Sequence, residues 1–161
     1  MDSLKNKLSI RHIFVFSTRN LSPTQRVKFH YALKGRTNPG ILSKTNSKYL
    51  TKTIIETSKK SSDTIAQFLD NWNCTYNILK LSKGKSHLLV KYSTTQLNST
   101  QLVQFTHGLY GRSKPGIIKR NSKEKLAKGY FFLEKDKSKE IIEFLNHWNC
   151  QLLIEEVDLH E

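Results

Sequence analysis

The chain repeats itself. Shifted by 76 positions it matches its own sequence without a gap: Leu21 falls on Leu97, Val27 on Val103, Phe29 on Phe105 and Leu33 on Leu109. Gly35-Arg36 falls on Gly111-Arg112, Pro39-Gly40-Ile41 on Pro115-Gly116-Ile117, and Leu50 and Lys52 on Leu126 and Lys128. Further on, Phe68-Leu69 meets Phe144-Leu145 and Trp72-Asn73-Cys74 meets Trp148-Asn149-Cys150. Two copies are too few for a solenoid, which needs at least three units to bury a continuous core. A single copy is marginal alone, because small domains bury a smaller share of their surface. The repeat therefore predicts a compact pair folding as one pseudo-two-fold body. Residues 1–82 form the first copy, 83–87 a short linker and 88–161 the second.

Each copy reads as the same series of elements. His12 to Ser17 and Leu88 to Ser93 are short apolar runs suited to strands. Ser22 and Asn98 are helix N-caps with Gln three residues later, a capping-box arrangement. The helices Pro23–Lys34 and Ser99–Tyr110 end at Gly35 and Gly111. Pro-Gly then opens a strand, Ile41–Lys44 or Ile117–Arg120, followed by a polar turn. A second strand covers Leu50–Thr57 or Leu126–Glu134, so a hairpin is expected across Ile41–Thr57 and its counterpart. Ile65, Phe68, Leu69 and Trp72 form the stripe of a second helix, repeated by Ile141, Phe144, Leu145 and Trp148. A last strand, Thr75–Leu81 or Gln151–Val157, closes the unit. Strand-helix-strand-strand-helix-strand is the ferredoxin-like order, so the expected class is α+β: a tandem duplication of a ferredoxin-like βαββαβ unit.

Charge points to the partner. The chain carries 27 Lys and Arg against 13 Asp and Glu, a formal net charge of +14. Such an excess suits a polyanion, nucleic acid first, and opposes self-association, so a monomer is expected. An acidic protein, an anionic surface or no polyanion at all are the competing readings. From His12 to Ser82 there are 11 basic and 3 acidic residues, and from Leu88 to Asp158 there are 11 and 8. The basic residues concentrate in equivalent places. The first copy has Lys34, Arg36, Lys44, Lys48 and Lys52 with no acid among them. The second has Arg112, Lys114, Lys119, Arg120, Lys123, Lys125 and Lys128, opposed only by Glu124. A basic hairpin can enter a groove or follow a phosphate backbone. The expected nucleic-acid-binding set is Arg36, Lys44, Lys48, Lys52, Arg112, Lys114, Lys119, Arg120, Lys123 and Lys128. Arg36/Arg112 and Lys52/Lys128 are basic pairs kept in both copies; the first pair could equally be helix C-terminal charges complementing the dipole.

Lys128-Gly129-Tyr130-Phe131-Phe132-Leu133 partly matches the basic-Gly-aromatic strand of RNA-recognition motifs, although core packing explains the rings as well. No constellation for catalysis emerges. No His is kept at an equivalent position, and neither copy has Cys-x-x-Cys or His-x-x-x-His, so no metal site is expected. No phosphate loop exists, and no cofactor is implied. The first copy holds only Glu56, Asp63 and Asp70 as acids, too few for the clustered carboxylates of a metal-dependent nuclease. Cys74 and Cys150 read as small buried packing groups. Two cysteines, no apolar run of membrane-spanning length and no signal-like N-terminus suggest a soluble intracellular protein that avoids membranes.

Leu97-Asn98-Ser99-Thr100-Gln101 leading to Gly108-Leu109-Tyr110-Gly111-Arg112-Ser113, with its counterpart from Leu21 to Thr37, resembles the LAGLIDADG group of homing endonucleases and intron maturases. The positions matching that family's metal-binding acid are Thr37 and Ser113, neither a carboxylate. The resemblance implies pseudo-symmetric groove binding by basic strands, with cleavage lost. The expectation is thus a non-catalytic protein that lays basic hairpins along DNA or structured RNA. A degenerate nuclease and a protein-interaction module are the alternatives.

Overall fold

The computed structural model describes residues 9–120 and 124–161, with the side chains at 119, 120 and 124–126 outside the description. The chain divides into two compact units, Met1–Ser82 with Leu159–Glu161, and Lys83–Asp158. The first contains β1 (Arg11–Ser17), α1 (Pro23–Lys34), α2 (Ile41–Lys44), β2 (Lys48–Thr51), β3 (Ile54–Ser58), a 3-10 turn at Lys59–Ser61, α3 (Ser62–Asn71) and the beginning of β4 (Thr75–Ser93). Its strands lie in the order β2-β3-β1-β4, each antiparallel to its neighbours, with Phe14 opposite both Ile55 and Ile78. The second unit takes the remainder of β4, then α4 (Ser99–Tyr110), α5 (Ile117–Arg120), β5 (Glu124–Ala127), β6 (Tyr130–Glu134), a 3-10 turn at Lys135–Lys137, α6 (Lys139–His147) and β7 (Gln151–His160). Here β5, β6 and β4 are successive antiparallel neighbours, and β7 also pairs with β4. The fold is mixed α+β with antiparallel strands. No helix among the described residues is long and apolar enough to cross a membrane.

Each unit has its own core. Phe14, Phe16, Phe29, Leu33, Ile55, Ile65 and Leu69 fill the first, and Val90, Tyr92, Phe105, Leu109, Phe131, Ile141 and Leu145 the second. Strand alternation explains the sheet contribution: Phe14 and Phe16 on β1 and Ile55 on β3 point to the helix side. The helices contribute their periodic stripes, as the sequence anticipates.

The local signals at the first helices behave as expected. The Ser22 and Asn98 side chains accept from the backbone N–H of Gln25 and Gln101, whose own side chains accept from the cap N–H. The second pair of repeated signals has an equally local cause. Trp72 ends α3, Asn73 takes a left-handed φ of 52°, the Asn73 N–H donates to Asp70 O at 2.9 Å, and Cys74 N–H reaches back to Leu69 O at 3.0 Å. Asn149 has φ 53°, with bonds to Asn146 O at 2.9 Å and from Cys150 to Leu145 O at 3.0 Å. Trp-Asn-Cys is therefore a Schellman helix stop built twice, with the cysteine tucked under the leucine. Both thiols are free and buried, and burial pushes them above their ordinary pKa.

Three sequence expectations are corrected. Ile41–Lys44 and Ile117–Arg120 are single helical turns rather than strands. In the first, Lys44 N–H donates to the Gly40 carbonyl, and the Thr45 hydroxyl closes the turn on Ile41 O at 2.8 Å. The stretch expected as one strand, Leu50–Thr57 or Leu126–Glu134, is instead the greater part of a hairpin that turns at Lys52-Thr53 or Lys128-Gly129. The turn residue's carbonyl accepts from the preceding strand at 2.9 Å in both cases: Phe16 N–H to Thr53 O, and Tyr92 N–H to Gly129 O. Finally, residues 83–87 are no linker but the middle of β4. Asp158 explains why: its carboxylate accepts from Lys85 N–H and Ser86 N–H at 3.0 Å and from the Ser86 hydroxyl at 2.7 Å. Any Cβ on Gly84 would collide with that carboxylate.

Because a left-handed backbone strains most residues, Asn73→Ala and Asn149→Ala should each lose about 1 kcal/mol in urea denaturation, whereas Asn→Gly at the same sites should cost little or nothing. Equal losses for Ala and Gly would show that the Asn side chains, not their backbone angles, matter.

Candidate nucleic-acid interface

The end of the first helix is shaped by a knuckle of backbone. Gly35 stops α1 at φ 93°, ψ 159°, donating its N–H to Tyr31 O at 2.8 Å. The chain then doubles back so that Gly35 and Pro39 form an isolated bridge, repeated by Gly111 and Pro115. A Cβ on Gly40 would land on the Gly35 nitrogen and the Leu33 carbonyl oxygen, and Gly116 is caged the same way. The repeated Gly-Arg…Pro-Gly pattern is thus required by backbone geometry, since only glycine fits these positions. What remains free to vary is what the knuckle displays.

In the first unit it displays Arg36. The guanidinium lies over the Tyr31 ring at 4.9 Å, rather than folding back onto the last carbonyls of the helix. A groove of about 430 Å³ opens beside it, lined by Tyr31, Arg36, Thr37, Asn38, Lys44 and Phe68 among others, and no acid is in the lining. Two residues earlier, at the last position of the helix, Lys34 sits over Tyr49 at 4.3 Å. His30 is held below its ordinary pKa by burial first and then by the positive charges of Lys34 and Lys52. Lys34, Arg36, Lys44 and Lys52 are all exposed. Lys48 stands apart on β2, 3.7 Å from Glu56, which also accepts from Arg11 at 3.1 Å.

The expected residues therefore divide. Arg36 and Lys44 share a groove, Lys52 belongs to a second cluster with Lys34 and His30, and Lys48 is engaged with an acid. The hairpin itself carries only Lys48 and Lys52 of the first-unit set. In the second unit Arg112 and Lys114 are exposed on the knuckle. Lys128 lines a different groove, about 460 Å³, with Tyr92, Tyr110 and Leu102. Lys119 and Arg120 belong to α5, and Lys123 lies outside the described residues. Elsewhere on this unit cations meet acids: Lys135 binds Glu156 at 2.6 Å and Lys137 binds Glu134 at 2.7 Å.

The aromatic strand is not a stacking platform. Tyr130, Phe131 and Phe132 on β6 are all buried, Phe132 beneath the His87 ring at 4.8 Å. The aromatics near the cations are Tyr31 and Tyr49, which sequence reasoning passed over. Tyr31 had a signal: it lies one helical turn before the Gly35 stop, so it faces whatever follows that stop. Tyr49 had none, because its strand was placed in a turn.

No family model matches the chain, and no curated protein matches it. Among solved structures, one described as a glycine cleavage system transcriptional repressor aligns over 96% of this chain and 99% of that chain, at 9% identity and a TM-score of 0.27. That likeness is too slight to carry fold or function across.

One buried polar group gives the first unit a pH dependence. His12 is only 8% exposed, its Nδ1 paired with the Ser62 hydroxyl. Burial, with Lys80 and Lys59 adding and Asp63 opposing, lowers its pKa below 6.5. The unfolded chain therefore takes up the proton first as pH falls, so stability is full above about pH 6.5 and is lost as pH drops toward the folded-state value. Thermal midpoints from about pH 8 down to about pH 5 should fall more steeply for the natural chain than for His12→Leu, the residue that Leu88 supplies in the second unit. Parallel curves would assign the acid sensitivity elsewhere.

Proposed function

We propose that the chain binds nucleic acid without cleaving it, through the exposed cations around the end of α1 and their second-unit counterparts. The observation that carries this reading is the acid-free groove in which Arg36, on the backbone knuckle, and Lys44, on α2, stand beside Tyr31. Phosphate neutralisation by such groups supplies most of the affinity of a sequence-tolerant binder. The first unit dominates, having 11 basic and 3 acidic residues between His12 and Ser82. This is also what the similarity to the LAGLIDADG group implies when Thr37 and Ser113 stand where that family has acids. We further read each unit as ferredoxin-like. The antiparallel order β2-β3-β1-β4 in the first unit supports this, as does the recurrence of the same element series in the second.

Gel-shift titration against single- and double-stranded DNA and RNA, with and without magnesium, tests the reading: intact probe should be retarded. If about six phosphates are neutralised, the log–log salt slope on duplex DNA should be about −5. A slope near zero removes the electrostatic basis, and magnesium-dependent shortening of the probe makes the chain a nuclease.

Arg36→Ala with Lys44→Ala should weaken binding by about 1–3 kcal/mol and cost only tenths in stability, because both side chains are exposed. A double variant that melts early yet binds normally per folded molecule would make these residues supports of the helix end.

A further inference from the structure

The groove beside Arg36 has a shape and chemistry that phosphate attraction alone does not call for. We infer that it holds a single unpaired nucleotide, its base stacked on Tyr31 and its phosphate between Arg36 and Lys44. The inference rests on the nucleic-acid reading above and narrows it to single-stranded sites.

Four observations converge on it. Tyr31 is 44% exposed at the groove, and the Arg36 guanidinium carbon lies 4.9 Å from its ring centre. Any base has a π-face that an exposed aromatic ring can stack on, and a neighbouring arginine adds a cation–π contribution. The groove's volume, about 430 Å³, lies within the roughly 300–1,000 Å³ of small-molecule sites, suiting one nucleotide rather than the face of a duplex. Lys44 on α2 adds a second positive charge to the lining, which contains no carboxylate to repel phosphate. Thr37 and Asn38 supply hydrogen-bonding side chains for a base edge, and Phe68 an apolar floor.

The second unit lacks this combination. His107 stands where the first has Tyr31, Gly108 where it has Ala32, and Lys114 where it has Asn38. One such site per chain is therefore expected, and the copies diverge here while keeping the knuckle that frames it.

The test compares a short fluorescein-labelled oligothymidine with a duplex of the same length by anisotropy, using the full chain at fixed salt. Tyr31→Ala should weaken binding of the single strand about 5- to 100-fold and leave the duplex nearly unchanged, in line with the worth of one base–aromatic stack. Tyr31→Phe should restore the single strand to within about two-fold, since the ring and not the hydroxyl is used. Thermal melts establish that each variant is folded. As a readout independent of substitution, an oligonucleotide carrying 5-iodouracil should photo-crosslink to Tyr31 of the natural chain. Equal losses on strand and duplex, no loss on either, or a crosslink outside the groove would overturn the nucleotide site while leaving electrostatic binding in place. Failure of every probe to bind would overturn both.

Discussion

Three rings fasten α1 to the end of α3 in the first unit and α4 to the end of α6 in the second. The Trp72 indole meets Phe29 edge-on at 5.7 Å and 87°, while Phe68 lies 5.5 Å from the same ring. In the second unit the Trp148–Phe105 contact is 5.9 Å at 88°, and Phe144 sits 5.3 Å from Phe105. Phe29 also rests on Phe16 of β1 at 5.8 Å, so the cluster joins helix to helix and both to the sheet. Aromatic groups of this size contribute large buried area and add about 0.5–1.5 kcal/mol per well-oriented pair. The tryptophan is in turn held by the left-handed asparagine after it. The end of α1, and everything displayed there, is therefore positioned by the Trp-Asn-Cys stop some forty residues away in sequence.

The spacing of the two helices is set to within a methyl group. Gly108 in α4 admits Phe144 so closely that a Cβ would stand 2.9 Å from its ring. The first unit has Ala32 at that position and keeps Phe68 beside it as part of the groove lining. A small adjustment of this kind changes how much ring is left open at the surface. The helix-borne core residues repeat, Phe29 as Phe105, Leu33 as Leu109, Ile65 as Ile141 and Leu69 as Leu145, whereas the strand-borne ones change, Phe14 to Val90, Phe16 to Tyr92 and Ile55 to Phe131. At exposed positions the copies part as well: Tyr31 against His107 and Asn38 against Lys114. The repeated sequence thus displays different chemistry on a recurring series of elements.

Much of this was legible in the sequence wherever the cause was local. Ser22 and Asn98 with their Gln partners announce the helix starts, and Gly35 and Gly111 the stops, because caps are decided within four residues. The hairpins were misplaced because their turn, Lys52-Thr53 in the first copy, contains neither Gly, Pro nor Asn. In the second copy, Gly129 was read as part of an aromatic strand. The Pro-Gly that seemed to open a strand opens one helical turn, whose closure depends on a Thr45 hydroxyl bond that no periodicity reveals. Lys83–His87 looked like a linker between the copies, but Asp158 binds the Lys85 and Ser86 amides from the far end of the chain. The basic residues were found as a set; their sorting into groove, cluster and ion pair required the register that puts Lys48 opposite Glu56.

The retention of Arg36 and Arg112 can be weighed on the same terms. A guanidinium kept only to complement a helix dipole would gain little at an exposed end, about 0.3–1 kcal/mol, and any basic residue within the last turn would serve. Lys34 already occupies that turn in the first unit, so the dipole does not require Arg36 as well. The position after Gly35 is different in kind, since the caged glycines fix its backbone direction independently of the helix. A long side chain launched from a rigid knuckle and steadied against Tyr31 loses less freedom on meeting a phosphate than one on a mobile loop, and that saved ordering cost goes directly into affinity. Arginine also offers a planar fork that lysine lacks, suited to two phosphate oxygens and to stacking at once. On the nucleic-acid reading proposed above, the geometry that makes glycine obligatory at positions 35 and 40 also gives arginine its advantage at position 36.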